Sequence, residues 1–130
     1  MTTADPRPDL AAYGEAARMS QAELVAALRA LLGAKLVAYL GRVKETRAVR
    51  QWAEGSRTIG NDTDVERLRV AYRVARLITA RHTAAVAQAW FQGLNPILDD
   101  RAPARVLREE DLAGSGPLVL AAARQFAAVG

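Results

Sequence analysis

The stretch from Ala34 to Gly55, AKLVAYLGRVKETRAVRQWAEG, constrains this chain more than any other. Leu36, Val37 and Leu40 recur at helical spacing, Gly41 follows, and Val49 and Trp52 lie three residues apart before Gly55. That spacing predicts two short helices around a tight turn. Gly41 admits a turn where a side chain would obstruct it, Thr46 is placed to cap the second helix, and Gly55 is placed to end it. Arg47, Arg50 and Gln51 are left on the faces away from Val49 and Trp52. A buried stripe opposite guanidinium and amide groups suits a helix that enters a DNA major groove. There arginine grips guanine, and glutamine adenine, by two hydrogen bonds. The pattern reads as a helix-turn-helix. Arg47, Arg50 and Gln51 are the candidates for base edges, and Arg42, Lys44 and Arg57 for phosphates, with Thr46 at the helix start. The competing reading is six ordinary surface cations and amides on an amphipathic helix pair, which is a common arrangement.

The distribution of charge favours the first reading. The net charge is +4. Residues 35–81 carry eleven Lys and Arg against five acids, whereas the segments on either side each carry one more acid than base. Clustered positive charge suits a polyanion, whose phosphates are neutralised in a salt-sensitive association. Sixteen of the eighteen cations are Arg, as in proteins from GC-rich genomes. That bias explains Arg over Lys but not the clustering.

At 130 residues, 51% of them hydrophobic and many of those alanine, the chain predicts an all-α fold with ample material for a core. Residues 1–8 predict a loose arm, 9–81 a DNA-binding unit with a long connecting helix, and 82–130 a second helical unit. Ser20 and Glu23 form a capping-box pattern ahead of Leu24, Val25, Leu28, Leu31 and Leu32, and Thr63 with Glu66 repeats it. The long helix that follows predicts Val65, Leu68, Tyr72, Ala75 and Ile78 inward, and Arg67, Arg69, Arg73 and Arg76 on a solvated outer face. A helix over Thr83 to Gln92 presents Val86 and Trp90, and Asn95-Pro96 enforces a turn. Ile97 and Leu98 are expected to be buried, Asp99-Asp100 to cap a short helix near Pro103 to Arg108, and Pro117 to start a last apolar helix after the break at Gly114 to Gly116. Trp52 and Trp90 read as core anchors.

Chemistry finds little to work with. Cysteine is absent and His82 is the only histidine, so a zinc site of familiar type is excluded. Asp99, Asp100, Glu109, Glu110 and Asp111 are interleaved with Arg101, Arg105 and Arg108, which reads as a salt-bridged surface and not a carboxylate pair. No phosphate-cradling glycine loop or nucleophile elbow is present. The chain is expected to be no enzyme and to need no cofactor or metal. Charges interrupt every apolar run before a bilayer-spanning length, and residues 1–10 lack the pattern of a secretory signal. A cytoplasmic protein with no membrane association is expected.

The second half, through Trp90, Asn95-Pro96, Leu98-Asp99, Pro103 and Leu107 in that order, resembles the toxin-binding domain of the Xre/MbcA/ParS antitoxin family. In the first half, Val49, Trp52 and Gly55, then Arg67-Leu68 and Tyr72, resemble that family's DNA-reading unit. The turn Gly41 to Glu45 departs from the pattern by being one residue longer, and Val129-Gly130 lacks an obvious polar tip. The resemblance implies a type II antitoxin that binds double-stranded operator DNA and holds a RES-type, NAD-degrading toxin. It makes Trp90, Asn95, Pro96, Leu98, Phe126 and Val129 candidates for the partner-binding surface, and because DNA recognition by paired half-sites raises affinity and specificity, a homodimer or larger assembly is expected. A stand-alone helix-turn-helix regulator with no toxin, and a helical oligomerisation module with an incidental basic patch, are the alternatives.

Overall fold

Helix α5, Asp62–Thr79, is the axis of the molecule, and its sequence explains why. Leu68, Val70, Ala71, Tyr72, Val74, Ala75, Leu77 and Ile78 are all buried, so apolar residues surround the helix instead of forming one stripe. A helix apolar on every side has to be enclosed by others. In this computed structural model, which describes residues 8–129, the enclosure is made by α1 (Pro8–Arg18), α2 (Gln21–Leu32), α3 (Ala34–Leu40), α6 (Ala84–Gln92) and α8 (Leu112–Val129). Helix α4 (Thr46–Glu54) packs on α2 and α3, and α7 (Pro103–Glu109) bridges α3, α6 and α8. A single turn of 3-10 helix, Pro96–Leu98, precedes α7. The fold is all-α, and among the described residues the only β pairing is an isolated bridge between Asn95 and Arg101. One continuous apolar core runs from Ala16 to Ala123, across the boundary expected near residue 81. The expected arm lies outside the described residues except for Pro8, which begins α1.

Because most of α5 is enclosed, its arginines do not form the expected solvated face: Arg67 is buried, and Arg69, Arg73 and Arg76 are half-buried. Arg67 is 3% exposed. Its Nε donates to Leu107 O at 3.0 Å, and its Nη1 donates to Leu40 O at 3.4 Å and to Asp64 Oδ1 at 2.6 Å. Both carbonyls lie in the last turns of their helices, α3 and α7, where no amide of the same helix remains to bond them. Arg69 does the same for α1, donating to Ala16 O and, at 2.9 Å, to Met19 O. Arg73 stacks over the Tyr13 ring at 4.9 Å, and Arg76 Nε donates to Glu15 Oε1 at 3.2 Å. The arginines of α5 therefore fasten the helices around it.

The helix ends follow the sequence in part. The box at Ser20 and Glu23 is formed in both directions, whereas α5 is capped by Asn61, whose Oδ1 accepts from Asp64 N at 3.0 Å. Asparagine accepts from the amide three residues on and starts the helix ahead of Thr63, which lies inside the first turn. Thr83 caps α6, its Oγ1 accepting from Val86 N at 3.2 Å. Asp99 and Asp100 do not cap α7. Both adopt left-handed backbone, φ 58° and 59°, within the tight loop closed by the Asn95 to Arg101 bridge, and the residue before α7 is Ala102. Leu98 is in the core, but Ile97 on the same turn faces out. Helix α8 starts at Leu112, five residues before Pro117. The break expected at Gly114 to Gly116 is absent because buried Ser115 and Gly116 bring that turn against α5, where a Cβ on Gly116 would lie 3.8 Å from Val70 Cγ2. Helix α8 also corrects the expectation that no segment reaches spanning length. By length and composition it could cross a bilayer, with Arg124 its one charge, while its inner face packs on α5.

Two outcomes test this architecture. Replacing Arg67 by Met leaves Leu40 O and Leu107 O without their donor, and urea unfolding is expected to show a loss of about 3 kcal/mol. The Tyr72 phenol donates to Glu15 Oε1 at 2.9 Å. That bond first, and then the neighbouring Arg76, hold the Glu15 carboxyl below its ordinary value of 4.5. The stability so contributed is present above that value and lost as pH falls through the lowered one. Tyr72→Phe should raise the Glu15 pKa in a carboxyl NMR titration and flatten the acid limb of the stability curve.

Candidate nucleic-acid interface

The α3–α4 pair is set by one close approach. Trp52 projects from α4 into the core, 3% exposed, and its ring crosses Gly41 at the end of α3. A Cβ on Gly41 would stand 2.8 Å from Trp52 Cζ3 and 3.2 Å from Val37 O. Gly41 is thus needed for space. Its φ is an ordinary −82°, and the left-handed residue in the turn is Arg42, φ 63°. Val43 N donates to Ala38 O at 3.0 Å and Arg42 N to Tyr39 O at 3.2 Å, closing the end of α3. Gly55 ends α4 in the left-handed region, φ 79°, with Ser56 N donating back to Gln51 O at 3.0 Å.

The expected cap at Thr46 is corrected. Thr46 is the first helical residue, Glu45 in extended backbone is the N-cap, and no side chain bonds the first amides of α4. The residue before the helix is the one whose backbone leaves helical geometry, and here that residue carries a side chain that does not fold back. Ala48, Val49 and Trp52 are buried, which turns Arg47, Arg50 and Glu54 outward on one face, with Gln51 half-buried beside them.

Two clefts share the segment that starts α4. The first, about 510 Å³, is lined by Val43, Lys44, Glu45, Arg47, Ala48, Gln51 and Arg57. Arg57 arrives from the loop after α4, which is held by buried Ile59. Gln21 of α2 accepts from Ile59 N at 2.9 Å and donates to Ile59 O at 3.4 Å. The second cleft, about 630 Å³, shares Val43, Lys44, Glu45 and Arg47 with the first and adds Thr46, then Lys35, Ala38 and Tyr39 of α3 and Arg108 of α7. Four sequence candidates, Lys44, Arg47, Gln51 and Arg57, meet in the first cleft, and Thr46 enters the second. Arg42 and Arg50 lie outside both. Arg50 is 3.9 Å from Glu54, a long pair between exposed groups that contributes little. Among the described residues no carboxylate pairs with Lys35, Lys44, Arg47, Arg57 or Arg108. Lys35 and Arg108 were missed as site residues, since nothing in the spacing of the chain brings residue 108 beside residue 39.

The partner-surface candidates are scattered. Leu98 is fully buried, and half-buried Asn95 accepts from Ile97 N through Oδ1 at 2.9 Å. Trp90 is half-buried and not the core anchor its spacing suggests. It packs edge-on against buried Phe91 and lies 6.2 Å from the Phe126 ring, which also meets His82 at 5.0 Å. Pro96 and Val129 are exposed, the latter 80%. Leu94, 75% exposed, Leu118, and Ile97, which was expected to be buried, are further apolar groups facing solvent. The acidic run forms ion pairs between Arg101 and Glu110 and between Arg105 and Glu109, as expected, and no metal-binding cluster occurs among the described residues.

Comparison with known proteins finds no family model, no curated protein and no solved structure that matches this chain. The reading of its function therefore rests on these residues.

The contact between Gly41 and Trp52 gives a direct test. Gly41→Ala should destabilise the chain by about 1–3 kcal/mol through overpacking, read by thermal unfolding. Gly55→Ala strains a left-handed position instead and, with Trp90 replaced by Phe so that Trp52 alone emits, should leave the fluorescence spectrum of the folded state unchanged while Gly41→Ala shifts it.

Proposed function

We propose that this chain is a DNA-binding regulator of the antitoxin kind, reading operator DNA through α4 and holding a protein partner with its second half. The observation that carries the DNA reading is the convergence of Lys44, Arg47, Gln51 and Arg57 on one cleft beside the exposed face of α4. Those groups supply what a duplex needs, cations for phosphates and fork-shaped donors for base edges. The uncapped amides at the start of α4 add donors of the right sign for a phosphate. At nine residues, α4 is about 13 Å long, enough to cross a major groove about 12 Å wide. The pair α3–α4 then acts as the helix-turn-helix, with α3 backing the reading helix. Paired half-sites favour a dimer on DNA.

The partner side rests on the antitoxin resemblance of Trp90, Asn95-Pro96, Leu98-Asp99, Pro103 and Leu107, together with the exposed Leu94, Ile97, Leu118 and Val129. In that reading the partner is a RES-type toxin and the mechanism is stoichiometric inhibition without chemical turnover. Affinity purification from the native cell, with mass spectrometry of stoichiometric partners, tests it. Repeated recovery of the chain alone removes the toxin and leaves the regulator.

The DNA reading is tested by selecting a preferred duplex from a random library and titrating it over a salt series. Lys44→Ala and Arg57→Ala should each lower the slope of log affinity against log salt by about 0.9, leaving sequence preference intact. Arg50→Ala should relax preference at one base pair by about 1–3 kcal/mol. Glu45 is the one carboxylate lining either cleft, and Glu45→Gln should tighten binding about threefold by removing its repulsion of phosphate. Salt-independent or absent binding by the wild-type chain sinks the reading.

A further inference from the structure

The second cleft has no role in a reading built on α4 alone, yet its chemistry is that of the first. Its cations come from three places: Lys35 from the first turn of α3, Lys44 and Arg47 from the start of α4, and Arg108 from α7. Arg108 is held in place and not free to wander. Its Nη1 donates to Tyr39 O at 2.6 Å, and its guanidinium lies over the Tyr39 ring at 4.6 Å. That bond and stack pre-orient a planar cation whose remaining N–H groups can serve a phosphate with little further ordering. Lys35 is exposed, and among the described residues neither it nor Arg108 has a carboxylate partner. Such positive charge converging on a concave surface, with Glu45 its only acid, is complementary to a phosphodiester.

We propose that this cleft is a second phosphate seat for double-stranded DNA, in which Lys35 and Arg108 hold the backbone on one side of the groove while Arg57 holds it on the other, with Lys44, which lines both clefts, between them. The inference rests on the DNA-binding reading above and adds to it a contact made by the second half of the chain. The geometry requires two seats. A helix with its side chains is about 10–12 Å across and fills a groove about 12 Å wide, so phosphate rows lie on both sides of it. The two clefts share Val43, Lys44, Glu45 and Arg47 around the start of α4 and diverge from there, one toward Arg57 and the other toward Lys35 and Arg108. Phosphate contacts of this sort fix register and orientation without reading sequence. The consequence is that α7, which belongs to the segment read as partner-binding, helps to seat the DNA. Arg108 is a positioning residue for α4 as well as a phosphate contact, because it caps the end of α3.

The test uses the full-length chain and the selected duplex of the preceding section, titrated over the same salt series, with Lys35→Ala, Arg108→Gln, Arg108→Lys and Lys44→Ala as variants. Lys35→Ala and Arg108→Gln are each expected to lower the salt slope by about 0.9 and to weaken binding about threefold, with sequence preference unchanged. Arg108→Lys keeps the charge and should retain the wild-type slope, while its thermal midpoint falls with the loss of the Tyr39 stack. That separates phosphate contact from a merely structural role. Unchanged slopes for Lys35→Ala and Arg108→Gln, with a reduced slope for Lys44→Ala, overturn the second seat and leave the DNA reading standing. A wild-type chain with no salt-dependent affinity overturns both.

Discussion

The buried guanidinium of Arg67 is the junction on which the arrangement of helices depends. A cation taken out of water is costly, and only good geometry with several bonds offsets that. Arg67 has this: the carboxylate of Asp64, three residues earlier on its own helix, and the carbonyls of Leu40 and Leu107 from two others. The last turns of α3 and α7 carry the partial negative charge of their helices, so both prefer a cation at that point. One side chain thereby settles three problems at once, two uncapped helix ends and the relative placement of α3, α5 and α7. Arg108 reinforces the same corner by capping Tyr39 O, so consecutive carbonyls at the end of α3 are served by two arginines from different helices.

This use of arginine changes what the charge of the chain means. The cations of α5 are engaged by groups of the same chain, at helix ends, over Tyr13 or against Glu15, although only Arg67 among them is fully buried. They contribute to the excess in the middle of the chain without making a surface for a polyanion. The excess that does reach solvent is narrower. Between residues 35 and 57 there are six cations against Glu45 and Glu54, and they surround α4. Subtracting the structural arginines therefore concentrates the positive field on the helix pair that the local pattern had singled out, which strengthens the electrostatic argument by shrinking its footprint.

What could be read from the sequence was what is local. The α3–α4 pair, the capping box at Ser20, the inward Val49 and Trp52, the stop at Gly55 and the all-α class all follow from spacings of one to four residues, and all are present. The misplaced caps at Thr46, Thr63 and Asp99-Asp100 are shifts of local backbone, whereas the larger failures share a cause, which is contact between residues far apart in the chain. Arg67 looks like a surface residue until Leu107 and Leu40 are brought to it from 40 and 27 residues away. Pro117 looks like a helix start until α5 packs against the turn before it. Within the candidate site, Lys44, Arg47, Gln51 and Arg57 meet as their sequence proximity suggests, whereas Lys35 and Arg108 join through the fold alone. One signal was available for Arg57: Ile59 is the lone apolar residue of a polar loop, and its burial anchors that loop.

The same long-range contacts argue against treating the chain as two separable halves. A cut near residue 81 would strip α6 and α8 from α5 and expose apolar residues on their side of it. It would also take Leu107 O from Arg67 and Arg108 from Tyr39 O, leaving a buried cation short of acceptors and the end of α3 short of a donor. The helix proposed to enter DNA leans on α3, and α3 is held from α7. A partner that engaged the second half could thus alter DNA affinity without touching α4, by the amount that it favours one placement of α7 over another. Linkage makes the effect reciprocal: DNA that draws Arg108 toward a phosphate would alter affinity for that partner by the same factor. In a chain of this size, with one core, the proposed division of labour between DNA and a protein partner would be carried by surfaces of a single body, and Arg67 and Arg108 make the bonds through which those surfaces would feel each other.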